Sequence, residues 1–302
     1  SRQIQFLPAV RLPGGWSYAT ALTEAGRDGD TVHFAAVPFN TLVDSPLYAG
    51  ANFKQFDLSP NAANRVYLDV FADTPAELAM TPTELALHRN LARQAELLFD
   101  SHHYNRYHFL LSLSGTIGGE GLEHHQSSED GTTANYLTDW AAGVRGRDLL
   151  AHEYTHSWNG KFRRPDDLWT PNFNVPMQDD LLWVYEGLTQ YYGYVLTARA
   201  GLRTPLETRD LMAGIAANYE ASPGRDWRPL VDTTNQPTMS QRVPVSWVSW
   251  QRGEDYYQES LLIWLGVDTR IREMSNGARS LDDFATLFFG VDNGSFVTKT
   301  YT

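Results

Sequence analysis

Up to about residue 75 the apolar positions come in short runs broken by turn residues, the pattern of strands. Thr31 to Val37 and Arg65 to Phe71 read as strands, with turns at Gly14-Gly15, Asp28-Gly29-Asp30 and Asn61 to Asn64. The period then lengthens. Thr81-Pro82-Thr83-Glu84 is a helix start: Thr81 as N-cap, Pro82 at the first helical position, Glu84 closing a capping box. That helix is predicted to reach Phe99. Tyr107 to Ser114 predicts the best strand of the middle region, followed by a Gly-rich loop from Gly115 to Gly121. From Asp148 the pattern turns helical, over about 148–160, 179–200, 205–221, 255–275 and 281–289. Thr204-Pro205-Leu206-Glu207 repeats the start signal, and Gly201 stands where the previous helix should end. Pro165 to Met177 holds three prolines and no helical period, so it reads as a loop long enough to be functional. Strands, then strand plus helix, then helices predict an α+β fold. We expect a β-rich region over 1–78 and a mostly helical unit over 79–302.

Composition narrows the partners. The 302 residues carry 24 Lys+Arg against 36 Asp+Glu, a net charge of −12. Nucleic acid and anionic lipid both call for a cationic surface, so neither is expected as a partner. No apolar run approaches a membrane span. Cysteine is absent, which removes thiolate metal sites, cysteine nucleophiles and disulfide scaffolds together. The first residue is Ser1 and no basic-then-apolar leader follows, so the chain reads as a processed protein or a fragment. The compartment stays open between bacterial periplasm or secretion and cytoplasm, with a soluble protein expected in either.

The chemistry concentrates in His152-Glu153-Tyr154-Thr155-His156, an HExxH pattern. On a helix, residues four apart stand one above the other, so the two imidazoles can share one Zn²⁺. Glu153, about 100° round the helix, can flank the metal and take a proton from water held there. The bland alternative is a packed or solvated histidine pair. A catalytic zinc wants a third protein ligand. Glu186 is the candidate, a carboxylate inside the apolar, aromatic run Trp183 to Tyr192. Buried there it needs a cation or donors, either the metal or an Arg or hydroxyl partner.

These segments resemble the glycyl aminopeptidase family of zinc metallopeptidases, gluzincins related to the large HExxH aminopeptidases. His152-Glu153-x-x-His156-x-Trp158-Asn159 and Leu182-Trp183-x-x-Glu186-Gly187-x-Thr189-x-Tyr191-Tyr192 carry the likeness. Leu12-Pro13-x-Gly15-Trp16, Leu42 to Pro46, Gly121-Leu122-Glu123-His124, Tyr256-Tyr257-x-x-Ser260 and Ile271 to Asp283 extend it over nearly the whole chain. The resemblance implies a thermolysin-like catalytic domain. It implies one Zn²⁺ per chain on His152, His156 and Glu186, with Glu153 as general base and acid. It also implies Glu123 as anchor of the substrate α-ammonium, His124 as a substrate contact and Tyr257 as oxyanion donor, with Tyr256 adjacent as a rival. The activity implied is hydrolysis after a small N-terminal residue, Gly or Ala, in a peptide with a free N-terminus. A PDZ module and a fuller β domain belong to the family pattern; neither is complete here, which again reads as a catalytic-domain fragment.

One departure stands out: Glu259-Ser260 replace the family's Lys-Gly after the tyrosine pair. With the incomplete flanking domains it keeps in play a non-catalytic peptide-binding module with a vestigial metal site; an endopeptidase of the same clan is a separate alternative. His102, His103, His108 and His125 are expected to be solvated or structural. Arg163-Arg164 read as a solvated basic patch that could also bind a substrate carboxylate.

Overall fold

Local hydrogen bonding sets the first elements. The computed structural model describes residues 2–240, 243 and 245–302. Strands β1 (Gln5–Phe6), β2 (Ala9–Arg11), β3 (Ser17–Thr20), β4 (Glu24–Asp28), β5 (Thr31–Phe34) and β6 (Val37–Pro38), helix α1 (Phe39–Val43) and β7 (Leu47–Gly50) form a β-rich N-terminal part. Its sheets are small: β2-β5-β4, β1-β6 and β3-β7, with all pairs antiparallel. The strand expected over Thr31 to Val37 breaks at Ala35-Ala36 into β5 and β6.

A five-stranded mixed sheet follows. It uses β8 (Phe53–Asp57), β9 (Arg65–Ala72), β10 (Arg106–Leu113), β11 (Glu120–Glu123) and β12 (Ser127–Thr132) in the order β11-β12-β10-β9-β8. Strands β9 and β12 run parallel to β10; the outer strands are antiparallel to their neighbours. Residues 53–72 and 106–132 therefore share one sheet. Strand β10 is buried along nearly its whole length because both faces are covered. Phe109, Leu111 and Leu113 face the main core, and Leu110 packs with Ala19 and Phe71 on the other side. β12 is missing from the sequence pattern because Ser-Ser-Glu-Asp-Gly-Thr has no apolar side chain and only one strand former, Thr132. Pairing on both edges carries it, an instance of context overriding propensity.

Helix α2 (Pro82–Phe99) starts as its sequence predicts: the Thr81 hydroxyl accepts from Glu84 N–H, and the Glu84 carboxylate from Thr81 N–H. The helices α3 (Leu149–Thr155), α4 (Leu182–Ala200), α5 (Pro205–Glu220), α6 (Gln236–Ser240), α7 (Val248–Gln251), α8 (Gln258–Met274) and α9 (Leu281–Phe289) make the C-terminal half. Short strands β13 (Arg163–Pro165) and β14 (Lys299–Tyr301) pair in parallel. Helix α5 repeats the Thr204–Glu207 box, and α4 stops at Gly201. Helix α3 is shorter than the expected 148–160, giving way to a turn through Trp158, whose indole N–H reaches Ser101 and whose ring stacks on Phe99. Helix α4 is apolar on all sides and correspondingly central, buried almost continuously from Tyr185 to Thr197. Among the described residues no helix is long and apolar enough to cross a membrane.

Candidate active site

Helix α3 points His152 and His156 to one side, and the first turns of α4 bring Glu186 to meet them. His156 Nε2 lies 3.1 Å from His152 Nε2 and 3.2 Å from Glu186 Oε2. The His152 Nε2 to Glu186 Oε2 distance is 3.3 Å, closing a nearly equilateral triangle. Ligands about 2.0–2.1 Å from one tetrahedral ion stand roughly 3.3–3.4 Å apart, so the triangle has the span a zinc ion requires. Proton bookkeeping agrees. His156 Nδ1 lies 2.9 Å from the Asn159 carbonyl, so it donates there and leaves a lone pair at Nε2 in the neutral ring. That lone pair faces a second imidazole nitrogen and a carboxylate, an arrangement that a cation in the middle would satisfy. The donor set of two imidazoles and a carboxylate therefore fits a catalytic divalent metal.

Asn159 ties the two ligand-bearing helices together. Its Nδ2 donates to the Val184 and Tyr185 carbonyls and to Thr189 Oγ1, at 3.0–3.1 Å, while its carbonyl receives His156. One side chain in the turn that follows α3 thus ties down the first turn of α4, where Glu186 sits.

The electrostatics follow from burial and crowding. Burial opposes ionisation of Glu186, but the adjacent imidazoles outweigh it and hold the carboxyl below the usual range. Glu153 has no such partner. Burial, and then the fields of Glu123, Asp130 and Glu186, push its carboxyl well above the usual range. Carboxylate oxygens of Glu123 and Glu153 and a ring nitrogen of His156 lie within 4.8 Å of one another. Gly121 on β11 lies against Glu153: a Cβ there would stand 2.2 Å from Oε1.

Glu123, on β11, accepts a hydrogen bond from the Tyr185 hydroxyl. Tyr185 in turn packs on His156, ring centroids 4.8 Å apart. Tyr257, at the start of α8, has its ring centroid 6.0 Å from that of His152. It lines a cavity of about 580 Å³ together with His152, Glu153, Gln190 and Arg145. Tyr256 is buried beside it. The Glu259-Ser260 departure has a structural use here. Glu259 pairs with Arg225 and Arg252, and Ser260 packs on Gly187, next to Glu186.

His124 is the expected residue that the structure sets apart from the metal triad. Its Nδ1 faces Asp44 at 3.3 Å and its Nε2 faces Glu129 at 3.1 Å. His124 lies just past the end of β11, where Asp44 and Glu129 claim both its ring nitrogens. His103 stacks on Phe162 and bonds backbone carbonyls, and His108 pairs with Asp69 at 2.7 Å. Among the described residues none of His102, His103, His108 or His125 belongs to a possible metal-binding group. The role of Tyr185, and the close approach of Gly121 to Glu153, were beyond sequence reasoning. The only signal for Tyr185 was its place beside Glu186.

Comparison with known proteins bears on the same residues. The family model for M61 glycyl aminopeptidase matches residues 145–263, and that for the Peptidase M61 N-terminal domain matches residues 2–51. No curated protein matches. Among solved structures, an aminopeptidase N family protein from Idiomarina loihiensis aligns with a TM-score of 0.73 at 20% identity, over 91% of this chain and 47% of that one. A variant M1 zinc metallopeptidase from Deinococcus radiodurans, bound to a Tyr-Ser-Ala substrate, aligns with a TM-score of 0.53 at 17% identity, over 95% and 57%. A variant two-domain M1 zinc metallopeptidase bound to L-arginine gives 0.54 at 16%, again over 95% and 57%. At such identities the likeness is one of fold. The chain spans about half the length of the structures it matches.

Proposed function

Because this chain belongs to the M61 glycyl aminopeptidase family, we propose that it is a zinc aminopeptidase of gluzincin type, removing the first residue from peptides with a free N-terminus. The observation that carries the reading is the 3.1–3.3 Å triangle of His152, His156 and Glu186 with the Glu153 carboxyl beside it. When bound by these three residues, zinc supplies Lewis acidity that polarises a carbonyl and makes water acidic near neutral pH. Glu153 takes the proton of the attacking water and returns it to the leaving amine. Its crowded, buried setting favours holding that proton between the two steps. Tyr257 donates to the oxygen that gains charge at the attacked carbon. Glu123, oriented by Tyr185, receives the α-ammonium and so sets the distance from chain end to scissile bond. Gly or Ala as first residue is the preference that family membership favours.

The test is metal analysis of the purified chain followed by turnover of Gly- and Ala-amide substrates. We expect one zinc per chain, hydrolysis of the free amines, and rejection of their N-acetylated forms; cleavage of blocked peptides would favour an endopeptidase. Glu153→Gln should keep the metal and lose about 10²- to 10⁴-fold in kcat. His156→Ala should lose the metal. Near-normal turnover by Glu153→Gln would remove Glu153 from its role.

A further inference from the structure

Beyond Glu123 lies a chamber of about 430 Å³, walled by the 165–177 loop, by Lys161 in the turn after the metal helix, and by Asp44. Asp44 arrives from the N-terminal part, directly after α1 and inside the Leu42 to Pro46 segment. Both of its carboxylate oxygens are engaged. One pairs with the Lys161 ammonium at 2.8 Å and faces His124 Nδ1 at 3.3 Å; the other accepts the His125 N–H at 2.9 Å. The pair is largely withdrawn from water, the Lys161 side chain 14% exposed and that of Asp44 18%. One carboxylate thus holds the two residues that follow Glu123 and a lysine of the metal-ligand turn.

That lysine acts on Glu123 as well. Burial opposes ionisation of the Glu123 carboxyl, but His156 and then Lys161 outweigh it and hold it below the usual range. Lys161 and Glu123 line the same chamber. Among the described residues the Glu123 carboxylate has one hydrogen-bond donor, the Tyr185 hydroxyl, which leaves acceptor capacity for an ammonium. Lysine carries the same –NH₃⁺ group as a peptide N-terminus, on a flexible four-carbon stem, and it is permanently tethered beside the site. Its pairing with Asp44 fixes it elsewhere.

We propose that Asp44 is a positioning residue of the amine site: it ties down the Lys161 ammonium, which would otherwise pair with Glu123 and take the place of the substrate α-ammonium. The inference rests on the aminopeptidase reading above and deepens it, since it assigns the N-terminal part a share in substrate binding. Without the Asp44 charge, a lysine held away from water lacks a counter-ion, and the Glu123 carboxylate in the same chamber supplies one. A tethered competitor of that kind raises KM for every free amine whatever the first side chain. With Asp44 in place the lysine is neutralised, and the charge of Glu123 is left for the incoming chain end.

The experiment measures by calorimetry how two hydroxamates bind the zinc-loaded full chain: glycine hydroxamate, with its amine protonated, and acetohydroxamate, which lacks the amine. The ratio of their Kd values reports the amine contact, and acetohydroxamate alone reports the metal site. We expect wild type to favour glycine hydroxamate by about tenfold or more, and Glu123→Gln to abolish the preference. Asp44→Asn keeps the shape and an acceptor for the His125 N–H but releases the lysine. Its ratio should fall to near one, with acetohydroxamate binding and zinc content unchanged. Adding Lys161→Gln to Asp44→Asn should restore the preference, and Lys161→Gln alone should raise it about twofold above wild type. An Asp44→Asn protein with the wild-type ratio overturns the proposal. So does a double variant that stays near one, the signature of a residue that only shapes the strand. If Asp44→Asn does not fold, a Lys161→Gln ratio no higher than wild type overturns it as well. A wild-type ratio near one that Glu123→Gln leaves unchanged is the separate failure of Glu123 as amine anchor, and the proposal falls with it.

Discussion

Gly121 stands against the Glu153 carboxyl, so close that a methyl group on its α-carbon would lie 2.2 Å from Oε1. The clash is with the end of a flexible side chain, and Gly121 itself is exposed. Gly121→Ala should therefore fold with nearly unchanged stability, while Glu153 swings off its position. We expect kcat to fall about ten- to hundredfold with zinc content intact, since small misplacements of a catalytic group are costly. Steady-state kinetics beside metal analysis check this; full activity would show that Glu153 tolerates displacement.

Gly187 has the opposite character. A Cβ there would meet Ser260 Cβ at 2.1 Å and the Tyr256 carbonyl at 3.0 Å, both on or near the backbone of a packed helix. Gly187→Ala should separate α4 from α8 beside Glu186, at a cost of about 1–3 kcal/mol. Chemical denaturation measures the loss, and zinc titration should show weaker binding in the same variant.

Tyr257→Phe removes only a hydroxyl from the cavity that holds His152 and Glu153. We expect kcat to drop by about 10²- to 10³-fold with little change in KM. Tyr256→Phe, at a buried position, should act on stability instead. If the two variants exchange these effects, Tyr256 is the oxyanion donor.

His124 carries a pH signature. Burial, and more weakly Lys161, opposes its charge, but the Asp44 and Glu129 hydrogen bonds outweigh them and raise its pKa. A raised histidine contributes stability that is complete below its ordinary pKa of about 6.5 and is lost as pH climbs through the raised value. With zinc saturating in both proteins, the Tm advantage of wild type over His124→Gln should be largest near pH 6 and shrink toward pH 9. A gap independent of pH would mean that the imidazole is not ionised between its two carboxylates.

The parts legible in the sequence were those written locally. Helices α2 and α5 were readable because each start signal is closed by partners three residues apart. The metal-ligand candidates were readable for related reasons: two are one helical turn apart, and Glu186 is a carboxylate in an apolar run. Strand β12 was not, because its pairing rather than its composition makes it a strand. The work of Asn159 and Tyr185 was hidden as well, since it depends on α3 and α4 coming together. The Asp44 and Glu129 partners of His124 were not legible either, since Asp44 lies 80 positions away.

The wall of the chamber beyond Glu123 is held by its distant ends. Arg2 reaches Thr170, 168 positions along the chain, and Phe39 meets Phe173 edge-on at 5.9 Å. Contacts between such remote segments close the largest loops and are formed late when a polypeptide folds. The metal triad, by contrast, is assembled by two neighbouring helices. The wall that Arg2 and Phe39 brace should therefore loosen under mild denaturant before the two ligand-bearing helices part.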